Sequence, residues 1–511
     1  MKIHRLYIEK IEHRPLLNGV EMLFYSDPKT NSKELNPNCF IGVNGSGKSQ
    51  ILETLAEIFF YLDKLYGGPN LSIVIHSPFL FEIDYSVTLD NNEYFIEIKQ
   101  YQTKGKPPEI NITCNNTEVE WFVETMYKFL PKRVIGYTSG ANETLSFPFM
   151  DYYDEYAGYT AKRALGKESK SEDYEPRFYF MDYTTNIGVV ISNLLYPETA
   201  NLNSVLKVIG LKGLRSFQLI IQTKHKAAPS NGVKLTKELE EWISYLSNVA
   251  TCYEYIKAEN KYILDFYNNE TTRNALKIYF KTPIELYTAL YKIELLNNLI
   301  IDDNYLKEIK RKRRTRKSLI RNPTVADKDK VLNYSEIKLR LLSGAQINYL
   351  ELSDGEHQYM NVFGTILMTN YQNTLYLLDE PETHFNPNWR REFIKILNDI
   401  THNRKQDIFI TSHSPFIVAD CKREKVYIFK KKNSKLTIEQ PSNETYGSNF
   451  DYILKMAFEM GDTLSEKSLK ELHALQKSDS ISKIESNIGN FGESVEKFYL
   501  LKRLEELKTK D

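Results

Sequence analysis

Apolar and polar positions alternate over His4–Ile11 and again over Val20–Tyr25, the pattern of two half-buried strands. Asn38-Cys39-Phe40-Ile41 reads as a short buried strand. Beyond Gly47 the period lengthens to that of a helix, with Ile51, Leu52, Leu55, Ile58, Phe59 and Leu62 on one face. Leu80–Leu89 and Tyr94–Gln100 alternate about Asp90-Asn91-Asn92, which predicts a hairpin. Arg133–Tyr137 predicts one more strand, followed by the polar loop Thr138–Glu143.

From Asp151 the pattern loosens. Asp151–Glu175 is Tyr-rich and charged with little periodicity, which predicts a surface loop. Helical periods return over Asn186–Leu195, Leu235–Ile256 and Ile284–Ile300, broken by strand-like pieces at Phe217–Gln222 and Tyr262–Tyr267. His357–Met368 predicts a helix, and Thr374–Glu380, Ile408–Thr411 and Lys425–Lys430 predict strands. Further helices are expected at Ser448–Met460, Ser465–Lys477 and Glu493–Leu507, with Gly489 and Gly492 marking a turn. Val495, Phe498, Leu501 and Leu504 recur at a spacing suited to packing on another helix, in this chain's core or in a partner.

Composition narrows the function classes. Lys and Arg number 67 and so do Asp and Glu, so no global field draws the chain to nucleic acid or a membrane. A local patch would have to do so, and Lys310–Lys317 carries seven cations in eight positions. That run is either a solvated face meeting Asp302, Asp303 and Glu308, or a contact surface for DNA, RNA or an acidic partner. No aromatic residue interleaves it, which favours phosphate contact over base stacking. Cys39, Cys114, Cys252 and Cys421 form no C-x-x-C pair, the usage expected of reduced cytoplasmic thiols without zinc. Met1–Glu12 does not resemble a signal peptide and no apolar run is long enough to span a bilayer, so a cytoplasmic protein with no membrane partner is expected.

Gly42, Gly47, Lys48 and Ser49 fit G-x-x-x-x-G-K-[ST], between a predicted strand and a predicted helix. Glycines let backbone N–H groups curl around phosphates, Lys48 places a charge on the β- and γ-phosphates, and Ser49 can ligate Mg²⁺. Asn44, Gly45, Ser46 and Gln50 complete the expected ATP-binding set. Far downstream, Leu352-Ser353-Asp354-Gly355-Glu356 precedes a helix, and Thr374–Glu380 ends in two carboxylates. Asp379 is expected to hold Mg²⁺ and Glu380 to polarise the attacking water. His413 follows the strand Ile408–Thr411 within Thr411-Ser412-His413-Ser414. Lys48, Glu380 and His413 form the candidate catalytic set, and Ser49 and Asp379 the candidate metal ligands.

This order of motifs resembles the ABC-type ATPase heads of SMC proteins, RecF-like repair proteins and OLD-family nucleases. The resemblance implies an α/β P-loop NTPase head with a mainly helical insertion between its two half-sites and a C-terminal helical segment. It also implies that two heads sandwich two ATP molecules, with Ser353 and Gly355 of one subunit capping the γ-phosphate held by the other. Leu130–Phe149, Arg177–Asn186 and Cys39–Leu65 are closer still to restriction-system-associated AAA-family ATPases, and more distantly to the ATPase subunit of Septu phage-defence systems. That likeness implies work beside a separately encoded effector, often a nuclease. The insertion has no sustained heptads for a long coiled-coil arm, and no D-x-D follows Asp379, so neither an SMC arm nor a built-in OLD-type nuclease is expected. The expected divisions are 1–150 and 335–445 for the two parts of the head, 151–334 for the insertion and 446–511 for the C-terminal segment.

Overall fold

Short apolar runs with no polar alternation need cover on both faces, and the chain meets that need with a central, mostly parallel sheet of seven strands. The computed structural model describes residues 1–24, 36–66, 79–104, 106, 108–118, 123–139, 144–154, 177–181, 186–224, 233, 235–301, 303–314, 325–402, 404–433, 435–458 and 464–509. The central strands are β1 (Asn38–Gly42), β2 (Arg133–Thr138), β3 (Phe178–Met181), β4 (Thr374–Asp379), β5 (Gln406–Thr411), β6 (Val426–Lys432) and β7 (Lys435–Glu439). They lie in the order β7-β6-β1-β5-β4-β2-β3, and only the β6–β7 pair is antiparallel.

A second sheet of six strands contains Lys2–Lys10, Val20–Leu23 and the hairpin Leu80–Leu89/Asn92–Tyr101. Leu89 pairs with Asn92, so Asp90 and Asn91 form a two-residue turn, and both have the positive φ that such turns require. The helix Lys48–Tyr66 shares one core with this sheet and the central one. Ile51, Leu52, Leu55, Phe59 and Leu62 cluster with Leu6, Ile83, Ile98, Phe40, Leu377 and Phe409. The phosphate-loop helix is thereby fixed by apolar burial on its expected face.

Between the half-sites, helices predominate. Asn186–Leu194, Leu202–Val208, Lys237–Val249, Glu270–Tyr279, Pro283–Glu294 and Asp303–Arg314 accompany a five-stranded sheet. That sheet runs Cys252–Ile256, Lys261–Tyr267, Leu211–Gln222, Leu332–Leu341, Gln346–Asn348, so one strand crosses position 334. The helix expected over Leu235–Ile256 is shorter. It ends at Val249, and Cys252–Ile256 pairs antiparallel with Lys261–Tyr267. In the segment expected to be a loop from Asp151, residues 151–154 finish a helix that buries Tyr152 and Asp154, and positions 155–175 fall outside the described residues. The basic helix Asp303–Arg314 carries the first part of the Lys310–Lys317 run, with Lys312 paired to Glu308 at 2.7 Å, while Thr315–Lys317 lie outside the described residues.

Chain contacts divide the protein into units Met1–Gly447 and Ser448–Asp511. Within the second, Leu472, Leu475, Ile484, Leu500 and Leu504 form a small core. For the stripe on the last helix, Val495–Lys508, the alternative of packing in this chain's core is corrected here. Leu504 is buried, but Val495, Phe498 and Leu501 are exposed, because Leu500 and Leu504 at i, i+4 define the covered face.

Candidate nucleotide site

Gly42 closes β1 with φ +137°, and a Cβ there would run into the carbonyl of Phe429 on β6. Gly45 and Gly47 also have positive φ (+74° and +101°), so the loop turns with backbone geometry that side chains resist. Ser46 is buried within it, and its hydroxyl has no hydrogen-bond partner among the described residues. Asn44 is exposed at the tip, while Gln50 lies just inside the helix with its side-chain oxygen buried and unpartnered among the described residues. An orphaned donor in a glycine nest at a helix start is chemistry that suits a phosphate oxygen.

Lys48 opens the helix and folds its ammonium back to the carbonyls of Gly42 (2.9 Å) and Val43 (3.3 Å). It also donates to Nε2 of His413 at 3.1 Å, across 365 residues of sequence. Burial pulls the ammonium down from its ordinary range, opposed by Glu380 and Asp379. Next to it, the Ser49 hydroxyl donates to Oδ1 of Asp379 at 2.8 Å.

Asp379 ends β4, and three hydroxyls from three different elements converge on its carboxylate. Ser49 comes from the phosphate-loop helix, Thr411 from β5, and Thr138 from β2 at 3.3 Å. Parallel register explains the convergence, since Asp379 lies level with both Thr138 and Thr411. Burial pushes the carboxyl up, and the hydroxyl donors oppose that shift. Ser49 Oγ and Asp379 Oδ1 offer two adjacent hard oxygens, a donor set that fits Mg²⁺, an ion that uses few protein ligands and completes its shell with phosphates and water.

Glu380 follows with φ +49°, a left-handed conformation that is rare for such a residue. Its N–H is held by Thr411, at 3.2 Å from the carbonyl and 3.0 Å from the hydroxyl. Its carboxylate Oε1 lies 3.4 Å from Nε2 of His413. Burial first, and the Lys48 charge second, push His413 down to about 4, so its ring is neutral near pH 7. Neutral Nε2 therefore accepts from Lys48, the proton sits on Nδ1, and the approach of Glu380 to Nε2 is not an ion pair.

The structure thus brings Lys48, Ser49, Asp379, Glu380 and His413 together. Ser353 and Gly355 stand at the start of the helix Asp354–Met368. Ser353 is an exposed N-cap in a capping box with Glu356, and among the described residues none of its hydrogen bonds reaches the phosphate loop. Gly355 is tight for a local reason, since a Cβ there would meet the His384 carbonyl at 2.8 Å. Sequence reasoning missed Thr138, Thr411, Ser412 and Glu382. Ser412 donates to the buried carboxylate of Glu382, and Ser139 and Thr383 link at 3.0 Å beside Glu380.

Residues 223–419 match the family described as "AAA domain, putative AbiEii toxin, Type IV TA system". The match contains Ser353, Gly355, Asp379, Glu380 and His413 and omits the phosphate loop. The fold is α/β, built on a mostly parallel central sheet. Its phosphate loop follows β1, its carboxylate pair ends β4, and the histidine strand β5 lies between them. A curated relative, protein ea59 of Escherichia phage lambda, is 26% identical over 87 residues, which is 17% of either chain. Among solved structures, the SMC head domain from Thermotoga maritima aligns with 87% of this chain and 100% of its own at 10% identity and TM-score 0.35. The recombination mediator protein RecF aligns with 85% and 97%, at 14% identity and TM-score 0.31.

Proposed function

We propose that this chain hydrolyses ATP, that two copies close around two nucleotides, and that this cycle controls a separately encoded effector such as a nuclease in bacterial anti-phage defence or restriction. One observation carries the hydrolytic part. Lys48, Ser49, Asp379, Glu380 and His413 meet within hydrogen-bonding reach of one another from opposite ends of the unit. In this reading, phosphates displace the Gly42 and Val43 carbonyls from Lys48 and take the N–H groups of the loop. Mg²⁺ bound by Ser49 and Asp379 would neutralise phosphate charge. Glu380 accepts a proton from the attacking water, and neutral His413 borders the water and the γ-phosphate position.

The exposed N-terminus of the signature helix supports the two-copy part, because Ser353 is offered outward and not toward its own loop. The defence reading draws on the toxin–antitoxin description of the matching family and on the restriction-type resemblance of Cys39–Leu65 and Leu130–Phe149. A second reading, a duplex-binding repair ATPase of the RecF or SMC kind, has its own observation. Lys307 and Arg311 stand exposed on the helix Asp303–Arg314, where they can meet phosphates. A scaffold in which ATP merely holds copies together is disfavoured, since a binding-only site does not need Glu380 and His413 aligned.

Replacing Glu380 by Gln tests the hydrolytic reading. Turnover is expected to fall at least about 100-fold, as for loss of a general base, with ATP binding kept and nucleotide-bound dimers accumulating in size-exclusion light scattering. Unchanged turnover removes Glu380 from its role.

A further inference from the structure

Glu382 stands two residues beyond the carboxylate assigned to the water, and its side chain is 4% exposed. One of its oxygens accepts from the Ser412 hydroxyl. That hydroxyl also accepts the Ser414 N–H at 2.9 Å, and the Ser412 N–H is tied to the Phe40 carbonyl at 3.1 Å. His413 is therefore gripped on both sides by a single hydroxyl whose other bond ends on Glu382. Glu382 is itself anchored through its backbone, because its carbonyl accepts from Phe385 N–H (3.0 Å) and from Nε of Arg390 (3.3 Å).

The chemistry of the residue is at odds with a packing role. Its second oxygen is buried with no hydrogen-bond partner among the described residues. Burial pushes its carboxyl up to about 7. A buried carboxyl with one oxygen left without a partner costs a fold stability, and an apolar side chain of similar volume is often the more stable choice. What the carboxyl does hold is the hydroxyl that braces the backbone across His413 by accepting the Ser414 N–H.

We propose that Glu382 is a positioning residue for hydrolysis, acting through Ser412 to hold the His413 ring between Lys48 and Glu380. The inference rests on the hydrolase reading above. The bond needs only an acceptor at Glu382, so an amide can replace the acid while an alkyl group cannot. Ser412 and Glu382 act as one unit, so losing either loses the whole effect.

The test compares Glu382→Gln, Glu382→Leu, Ser412→Ala and the Glu382→Leu/Ser412→Ala double variant in the full chain. Steady-state ATP turnover is read together with the ¹³C-labelled His413 ring signal, assigned with His413→Asn. Glu382→Gln is expected to keep kcat within about threefold and leave the ring signal in place. Glu382→Leu and Ser412→Ala are expected to lose roughly tenfold or more in kcat with KM within about twofold, and to move the His413 signal as the ring leaves Lys48. The double variant is expected to be no worse than either single one. Wild-type kcat with an unmoved ring signal in Ser412→Ala overturns the proposal, and so does a Glu382→Gln variant as impaired as Glu382→Leu. If the wild-type chain shows no Glu380-dependent turnover, the hydrolase reading fails. The ring signal then decides by itself whether Glu382 positions His413.

Discussion

At the scale of single residues, the site is a set of buried and half-buried groups whose charges are poised against each other. His413 is neutral because it is buried and faces Lys48, and removing that cation in Lys48→Met is expected to raise its value from about 4 toward 6.5. Titration of the labelled ring by NMR measures the rise, and an unmoved value would show that burial alone holds it. The stability linkage runs in opposite directions at two positions. His413 is depressed in the fold, so its contribution is full above about 6.5 and is lost as pH falls toward about 4. Glu382 is raised, so its contribution is full below 4.5 and is lost as pH climbs through about 7. Glu382→Gln is therefore expected to flatten the fall in stability between pH 5 and 8, a fall whose slope from one proton is at most about 1.4 kcal/mol per pH unit. Urea melts across that range check it. Lys48, Ser49, Asp379 and Glu380 were legible in the sequence because each sits in a local motif with its own signature. Thr138, Thr411, Ser412 and Glu382 were not, because a hydroxyl or a second acid acquires its role only from which strand lies level with which.

At the scale of elements, the clearest readings were those with strong period and punctuation. The Lys48–Tyr66 helix and the Leu80–Tyr101 hairpin follow from an apolar face and from Asp90-Asn91. The strand Cys252–Ile256 was hidden because Val249, Tyr253 and Ile256 continue a helical spacing past the true end of the helix. Its pairing with Lys261–Tyr267, distant neither in space nor in sequence, outweighs that spacing. The phosphate-loop turn gives a sharper expectation. Gly42→Ala adds a Cβ against the Phe429 backbone at a φ that alanine resists, and should cost more than about 1 kcal/mol of stability. A thermal melt reads it directly, and an unchanged midpoint would mean that β1 and β6 can separate without penalty.

At the scale of the whole molecule, the order of motifs was readable but the adjacency of their strands was not, since nothing in β5 announces that it lies between β1 and β4. The open expectation is the composite site. If Ser353 completes a partner's nucleotide pocket, Lys48→Ala and Ser353→Arg are each inactive alone. An equal mixture recovers about a quarter of wild-type turnover, because half the dimers are mixed and each mixed dimer has one intact site of two. Recovery of none would place Ser353 in a capping role only. No described helix is long and apolar enough to cross a membrane.

The bond between Ser49 and Asp379 spans 330 residues of chain. During synthesis at about 5–20 residues per second, a ribosome that has released the phosphate loop needs on the order of 20–60 s more to deliver its carboxylate partner. Through that interval β1 also lacks both of its sheet neighbours, because β5 and β6 are made only after Lys405. Neither the turn of the loop nor the groups that face it can be in place until the strands from Thr374 to Lys432 have been made.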